Sequence, residues 1–307
     1  MRQATEKIRN FLDRAAILPN TNAQSASNVA FEFVRSLAGE LSAGKIDLPS
    51  FPEIALRVRR VLSDSNSSID QVVRVVGSEP ALAARLMRVS NAASFNRTGR
   101  PIADLRTAIT RIGYNMVRSA AMAFAMSQMR RNNKLEALQP RMNDLWERST
   151  SVAAFAYVLA HTCSRVNPDE AMLAGMMHGI GKLYIMTRAA HHQELFRDED
   201  TLNAIMDDWH AAVGKAILEN WEFTETMSEA VGNQDDHARM DRNDPDLRDV
   251  LAVAILLAIY GEDVAGLELA LNGLPETIRL GLDEARIRAV MQAHATEVGA
   301  LRDALGA

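Results

Sequence analysis

The residues best suited by type to do chemistry stand in Ala174-Gly175-Met176-Met177-His178-Gly179-Ile180-Gly181-Lys182-Leu183, one histidine late in an apolar run, followed by two glycines and a lysine. A second histidine, His210, sits in Trp209-His210-Ala211-Ala212-Val213-Gly214. Neutral imidazoles ligate divalent metals and relay protons, yet a lone histidine on an apolar helix also serves as a satisfied core residue. Asp235-Asp236-His237 has the residue types of a metal ligand set, but neighbours on a helix face different ways. His191-His192 follows Arg188 and reads as a solvated turn. Cys163 is the only cysteine, so no intramolecular disulfide forms and a cysteine zinc site lacks partners. It reads as a buried, inert thiol. There is no nucleophile elbow and no glycine-rich phosphate loop ahead of a helix.

These residues must be positioned by helices, because helical periodicity runs through nearly the whole chain. Glu6 to Ala16 can form one helix, and Val29 to Ser42 a second that stops at Gly44. Leu48-Pro49-Ser50-Phe51-Pro52 predicts an extended entry, since proline disfavours α geometry in the residue before it. Three short helices follow, carrying Ile54, Val58, Val61 and Leu62, then Ile69, Val72, Val73 and Val76, then Leu82, Leu86 and Val89. Ser67 or Ser68 can cap the second, and Pro80 opens the third. After a loop from Asn91 to Pro101, Asp104 to Ile112 is a short helix ending at Gly113. Longer helices are expected over Asp144–His161, Leu202–Asn220, Thr224–Gln234, Asp246–Tyr260 and Asp283–Leu305. Asn167-Pro168-Asp169-Glu170 is a start signal, with Asn167 capping and Glu170 completing a capping box. No strand pair or internal repeat is evident, and the fold class is all-α.

The segment around His178 resembles the HD superfamily of metal-dependent phosphohydrolases, in which adjacent histidine and aspartate ligate a divalent ion and a metal-bound water attacks a phosphoester. Upstream pieces narrow the likeness: Leu48-Pro49, Phe51-Pro52, Glu79-Pro80-Ala81-Leu82, Leu86, Val89-Ser90-Asn91-Ala92, Ile102, Ala108-Ile109 and Ile112-Gly113. Together they are similar to the HDOD domain, the HD-related output domain, from about Leu48 to Ala258. The resemblance implies a multi-helical HD-like fold. The division expected is residues 1–44 as N-terminal helices, 45–262 as the HDOD domain (45–133 short helices, 134–262 HD-like), and 263–307 as helices packing on the core.

The resemblance also says where a metal would be held, and here the residues depart from it. The family's first histidine, after a tryptophan, aligns with Arg148 in Leu145-Trp146-Glu147-Arg148-Ser149. The His-Asp pair is His178-Gly179, so its carboxylate is missing. A further histidine matches His210; the paired histidines fall near Asn233-Gln234, with His237 close by; the late aspartate falls at Ile255. Two imidazoles with no carboxylate beside them bind a catalytic ion poorly, and a guanidinium repels it. No catalytic residue, bound metal or cofactor is therefore expected. Two alternatives stay open. One is residual phosphodiesterase activity, which needs His237 to join His178 and His210. The other is a non-hydrolysing nucleotide- or anion-binding pocket of Arg148, His178, Lys182, His210, Asn233 and Gln234, with Arg148 simply paired to an acid as the plainer reading.

The 307 residues are 48% hydrophobic and 24% charged with a net charge of −5, so nothing in the balance draws the chain to a polyanion. Arginine clusters such as Arg57, Arg59 and Arg60, Arg97 and Arg100, or Arg130 and Arg131 read as solvated helix faces. Met116, Met122, Met126 and Met129 read as core filling, with a soft partner surface as the other option. Met1 to Ala16 carries charges throughout, and the most apolar stretch, Val250 to Tyr260, is too short to span a bilayer. The expectation is a cytoplasmic, non-catalytic bacterial signalling protein that works by binding other signalling proteins. Neither nucleic acid nor membrane is expected as a partner, and self-association through the first 44 residues stays open.

Overall fold

A computed structural model describes residues 23–44, 52–92, 100–130, 138–237, 244–261 and 263–305. Its helices are α1 (Ala23–Ala43), α2 (Glu53–Ser63), α3 (Ile69–Gly77), α4 (Pro80–Asn91), α5 (Leu105–Arg130), α6 (Gln139–Cys163), α7 (Pro168–Met177) and α8 (Ile180–Ala189). They continue with α9 (Gln193–Arg197), α10 (Glu199–Asn220), α11 (Glu225–Gly232), α12 (Leu247–Tyr260), α13 (Val264–Leu271), α14 (Pro275–Arg279) and α15 (Glu284–Leu305). The described residues contain no strand, as the periodicity requires. The expected helix at Glu6–Ala16 and the extended stretch before Pro52 lie outside them, as does most of the Asn91–Pro101 loop.

Helices α2 to α4 are short because each is stopped by its own chemistry. Ser68 and Gln71 form a reciprocal capping box at the start of α3, and Pro80 occupies the first turn of α4. Gly113 does break the helix expected there, with φ 77°, but the chain resumes helical geometry at once and runs on to Arg130. A left-handed φ suits glycine alone at little cost, so α5 is two helices about a bend. The second one is not expected from the sequence, where Gly113 reads as an end. Its Met116, Met122, Met126 and Met129 are all buried, which excludes the soft partner surface.

α6 is the spine of the second half, starting five residues earlier than expected because Pro140 fits the first turn. α7, α12 and α15 all pack on it. Gly175 lets α7 touch the backbone of α6: a Cβ there would lie 2.6 Å from Ala153 Cα. α1 lies on α9 and α10, burying Ala30, Phe33, Val34 and Leu37. Glu40 of α1 takes hydrogen bonds from Tyr184 and from Arg188, the latter at 2.6 Å. The first described helix therefore packs on the core. At the other end, α15 stacks His294 flat on Phe155, ring centroids 3.4 Å apart, and a buried Arg279–Asp249 pair at 2.7 Å ties α14 to α12.

Asn167 caps α7 by accepting from the amides of Asp169 and Glu170. The expected capping box is only half made, because Glu170 Oε1 instead accepts from Thr224 Oγ1 at 3.4 Å. Asn167→Ala is expected to cost about 1 kcal/mol by urea denaturation; an unchanged midpoint would mean that water replaces the cap. Cys163 is only half-buried, not the enclosed thiol expected, because it closes α6 at the surface. His191 and His192 are exposed, as a solvated turn should be.

Candidate functional site

The site is built where α7 ends and α8 begins. His178 is the last residue to keep helical geometry, and Gly179 turns the chain into α8. Both helices are almost wholly buried, so His178 is only 6% exposed. Two glycines make the corner possible. A Cβ on Gly181 would overlap the carbonyl oxygen of His210 and lie 2.8 Å from Gly214 N. Gly181 and Gly214 thus bring α8 and α10 into backbone contact and set His210 beside His178.

The polar groups there pair with one another through the Gln234 amide nitrogen, while Gln234 Oε1 stays buried without a partner. His178 Nδ1 donates to Gly175 O at 2.7 Å. Gln234 Nε2 donates to His178 O at 3.2 Å and approaches His210 Nδ1 at 3.2 Å. With Nδ1 accepting, the other nitrogen of a neutral His210 carries the proton, and it points at Asp235 Oδ2, 3.2 Å away. Burial pushes His178 down to about 4, helped by the nearby charges of His210, Lys182 and Arg148 and opposed by its bond to Gly175. Burial works to raise Asp235, but its hydrogen bond and charge interaction with His210, with Lys182 and His237 beyond, hold it below the ordinary aspartate value.

The other sequence candidates stand around this pair without joining its hydrogen bonds. Arg148 is exposed, close enough to His178 to disfavour its charge. Lys182 reaches Asp207 at 3.6 Å. Asn233 turns back to Glu229, donating to its carboxylate at 2.6 Å, and so leaves the histidines to Gln234. Ile255 is half-buried against the core on α12. His237 does not join His178 and His210; it lies 3.6 Å from the buried Glu276.

Asp235 corrects the expectation that no carboxylate lies beside the histidines. α11 stops at Gly232, so residues 233–237 are not helical and the argument from helix faces does not apply to them. The adjacency of Gln234 and Asp235 was the available signal. Leu145 was also missed: a Cβ on Gly179 would meet its Cδ1 at 2.5 Å. Leucine fills the volume beside the position where the HD resemblance puts an aspartate.

A family model of the HDOD domain matches residues 48–237. The chain belongs to the HDOD family. Several solved structures share its fold. A proposed metal-dependent phosphohydrolase from Shewanella amazonensis is 29% identical with a TM-score of 0.68, covering 89% of this chain and 99% of its own. An HDOD domain protein of unknown function from Geobacter sulfurreducens is 20% identical with a TM-score of 0.55, covering 85% and 97%. A proposed signal transduction protein from Marinobacter aquaeolei is 20% identical with a TM-score of 0.56, covering 88% of this chain and 60% of its own. No curated protein matches.

HD-type hydrolysis would need a metal, and the HDOD residues here do not fit one. Both ring nitrogens of His210 are engaged, as is Nδ1 of His178. An ion needs several free lone pairs converging on one point. Among the described residues, no group of three or more histidine, cysteine or acidic side chains is placed to hold one.

Proposed function

We propose that this HDOD protein is a non-catalytic regulatory module that acts by binding other signalling proteins. The observation that carries the reading is the hydrogen-bond network that engages the histidines at the HD corner. Gln234 joins His178 to His210, Asp235 takes the outer nitrogen of His210, and Leu145 lies against Gly179. These contacts turn a would-be ligand cluster into a hydrogen-bonded core corner, where the ring nitrogens of His210 and Nδ1 of His178 are already engaged. The shared fold with a proposed signal transduction protein agrees with a regulatory role. Among the described residues, no helix is long and apolar enough to cross a membrane.

The test is metal content of the purified protein, with hydrolysis of bis(p-nitrophenyl) phosphate assayed with added Mn²⁺. The expected result is substoichiometric metal and no turnover above the buffer rate. Stoichiometric metal that a chelator removes together with activity would restore the phosphohydrolase alternative.

A further inference from the structure

By sequence, Arg59 belongs on a solvated face with Arg57 and Arg60. Arg57 and Arg60 are exposed, but Arg59 is only 7% exposed. It lines a cavity of about 500 Å³ between α2, α5, α7 and the turn that leads into α11. Arg118 of α5 shares that cavity, and the two guanidiniums are close enough to repel each other. Nε of each is buried with no hydrogen-bond partner. An unpaired buried donor costs about 1–3 kcal/mol, more on a charged group, and both residues line one void, so an acceptor seated there would meet two incompletely paired arginines.

We infer that this cavity binds a phosphate ester of nucleotide size, with its phosphate bridging Arg59 and Arg118. A tetrahedral phosphate offers separate oxygens to two guanidiniums, whereas a single arginine already satisfies a planar carboxylate by its two-pronged fork. The rest of the lining suits an organic body. Leu173 and Phe223 supply apolar wall, while Asn115 and Asp169 offer hydrogen-bonding groups. A volume of this size falls in the range of small-molecule sites.

Glu222 holds the phosphate's place in the free protein. Its carboxylate meets Arg59 Nη1 at 3.4 Å while 80% exposed, a solvated contact that an incoming anion can displace. Its φ of 52° is the one left-handed value at a non-glycine position among the described residues. Such a conformation costs on the order of 1 kcal/mol or more and collects at ligand clamps. Glu170 lies close enough to Arg118 to favour its charge, and it also accepts from Thr224, so it stays with the wall of the site. The site is distinct from the His178 corner: the two share no residue.

The experiment is calorimetric titration of the full chain with the nucleoside 5′-monophosphates, the matching nucleosides and inorganic phosphate. At least one monophosphate is expected to bind with Kd below about 1 mM, and its nucleoside and inorganic phosphate at least about tenfold more weakly. Arg118→Gln, at a half-buried position, should fold as the parent does by circular dichroism and weaken binding about tenfold or more. Glu222→Gln should tighten it by removing the competitor. Absence of binding by every monophosphate, equal binding by the nucleoside or by inorganic phosphate, or an unchanged affinity in folded Arg118→Gln would each overturn the assignment.

Discussion

Gly181→Ala is expected to lower the free energy of unfolding by about 4 kcal/mol, measured by urea denaturation against the parent chain. The added methyl would overlap His210 O and press on Gly214 N, both backbone atoms of α10. Backbone cannot step aside as a side chain does, so α8 and α10 must separate along a buried contact, and overpacking of that kind sits at the upper end of point-mutant effects. Gly179→Ala is the control. Its methyl meets the end of the Leu145 side chain, which can turn away, so a loss of about 1 kcal/mol is expected. Equal effects at the two positions would mean that the helix crossing yields as easily as a leucine rotamer.

The second large effect is in pH. Folding takes His178 from an ordinary 6.5 to about 4. Between those values the unfolded chain binds a proton that the folded chain refuses, so stability rises with pH across the interval. The contribution is lost progressively as pH falls from about 6.5 to about 4, for a total on the order of 3 kcal/mol. Other groups titrate in the same region, so the reading is the difference between the parent and His178→Asn, whose amide can still donate to Gly175 O. The parent's stability relative to that variant is expected to fall by about 3 kcal/mol between about pH 7 and pH 4. Parallel pH profiles would show that His178 is not held neutral by its surroundings.

Much of the fold was legible because it rests on local rules. Helix periods, the Asn167 cap, the Pro80 start and the break at Gly113 are set by residues within a turn or two of one another, and all appear where the sequence puts them. The second half of α5 was missed because the glycine read as an end, and nothing local says that the chain resumes its helix on the far side of a bend. Of the site, His178, His210 and Gln234 were legible as candidates, and the structure does bring them together. Arg148, Lys182 and Asn233 come in by likeness to a family pattern; the first two stand near enough to His178 to act on its charge, while Asn233 turns back to Glu229.

What the sequence by itself determined is the class of fold and the family, since these depend on residue type and order; the departure of Arg148, Gly179 and Ile255 from a ligand pattern is what the HD resemblance implies. What only the tertiary structure decided is which polar groups share a space. Asp235 reaches His210 because α11 ends early, Leu145 lies against Gly179 from another helix, and Arg59 and Arg118 face one cavity from α2 and α5. The physical reason is that hydrogen bonds and charges act over a few ångströms of space. The residues that meet there stand up to 163 positions apart in the chain, as Arg59 and Glu222 do, and only the packed helices set that distance.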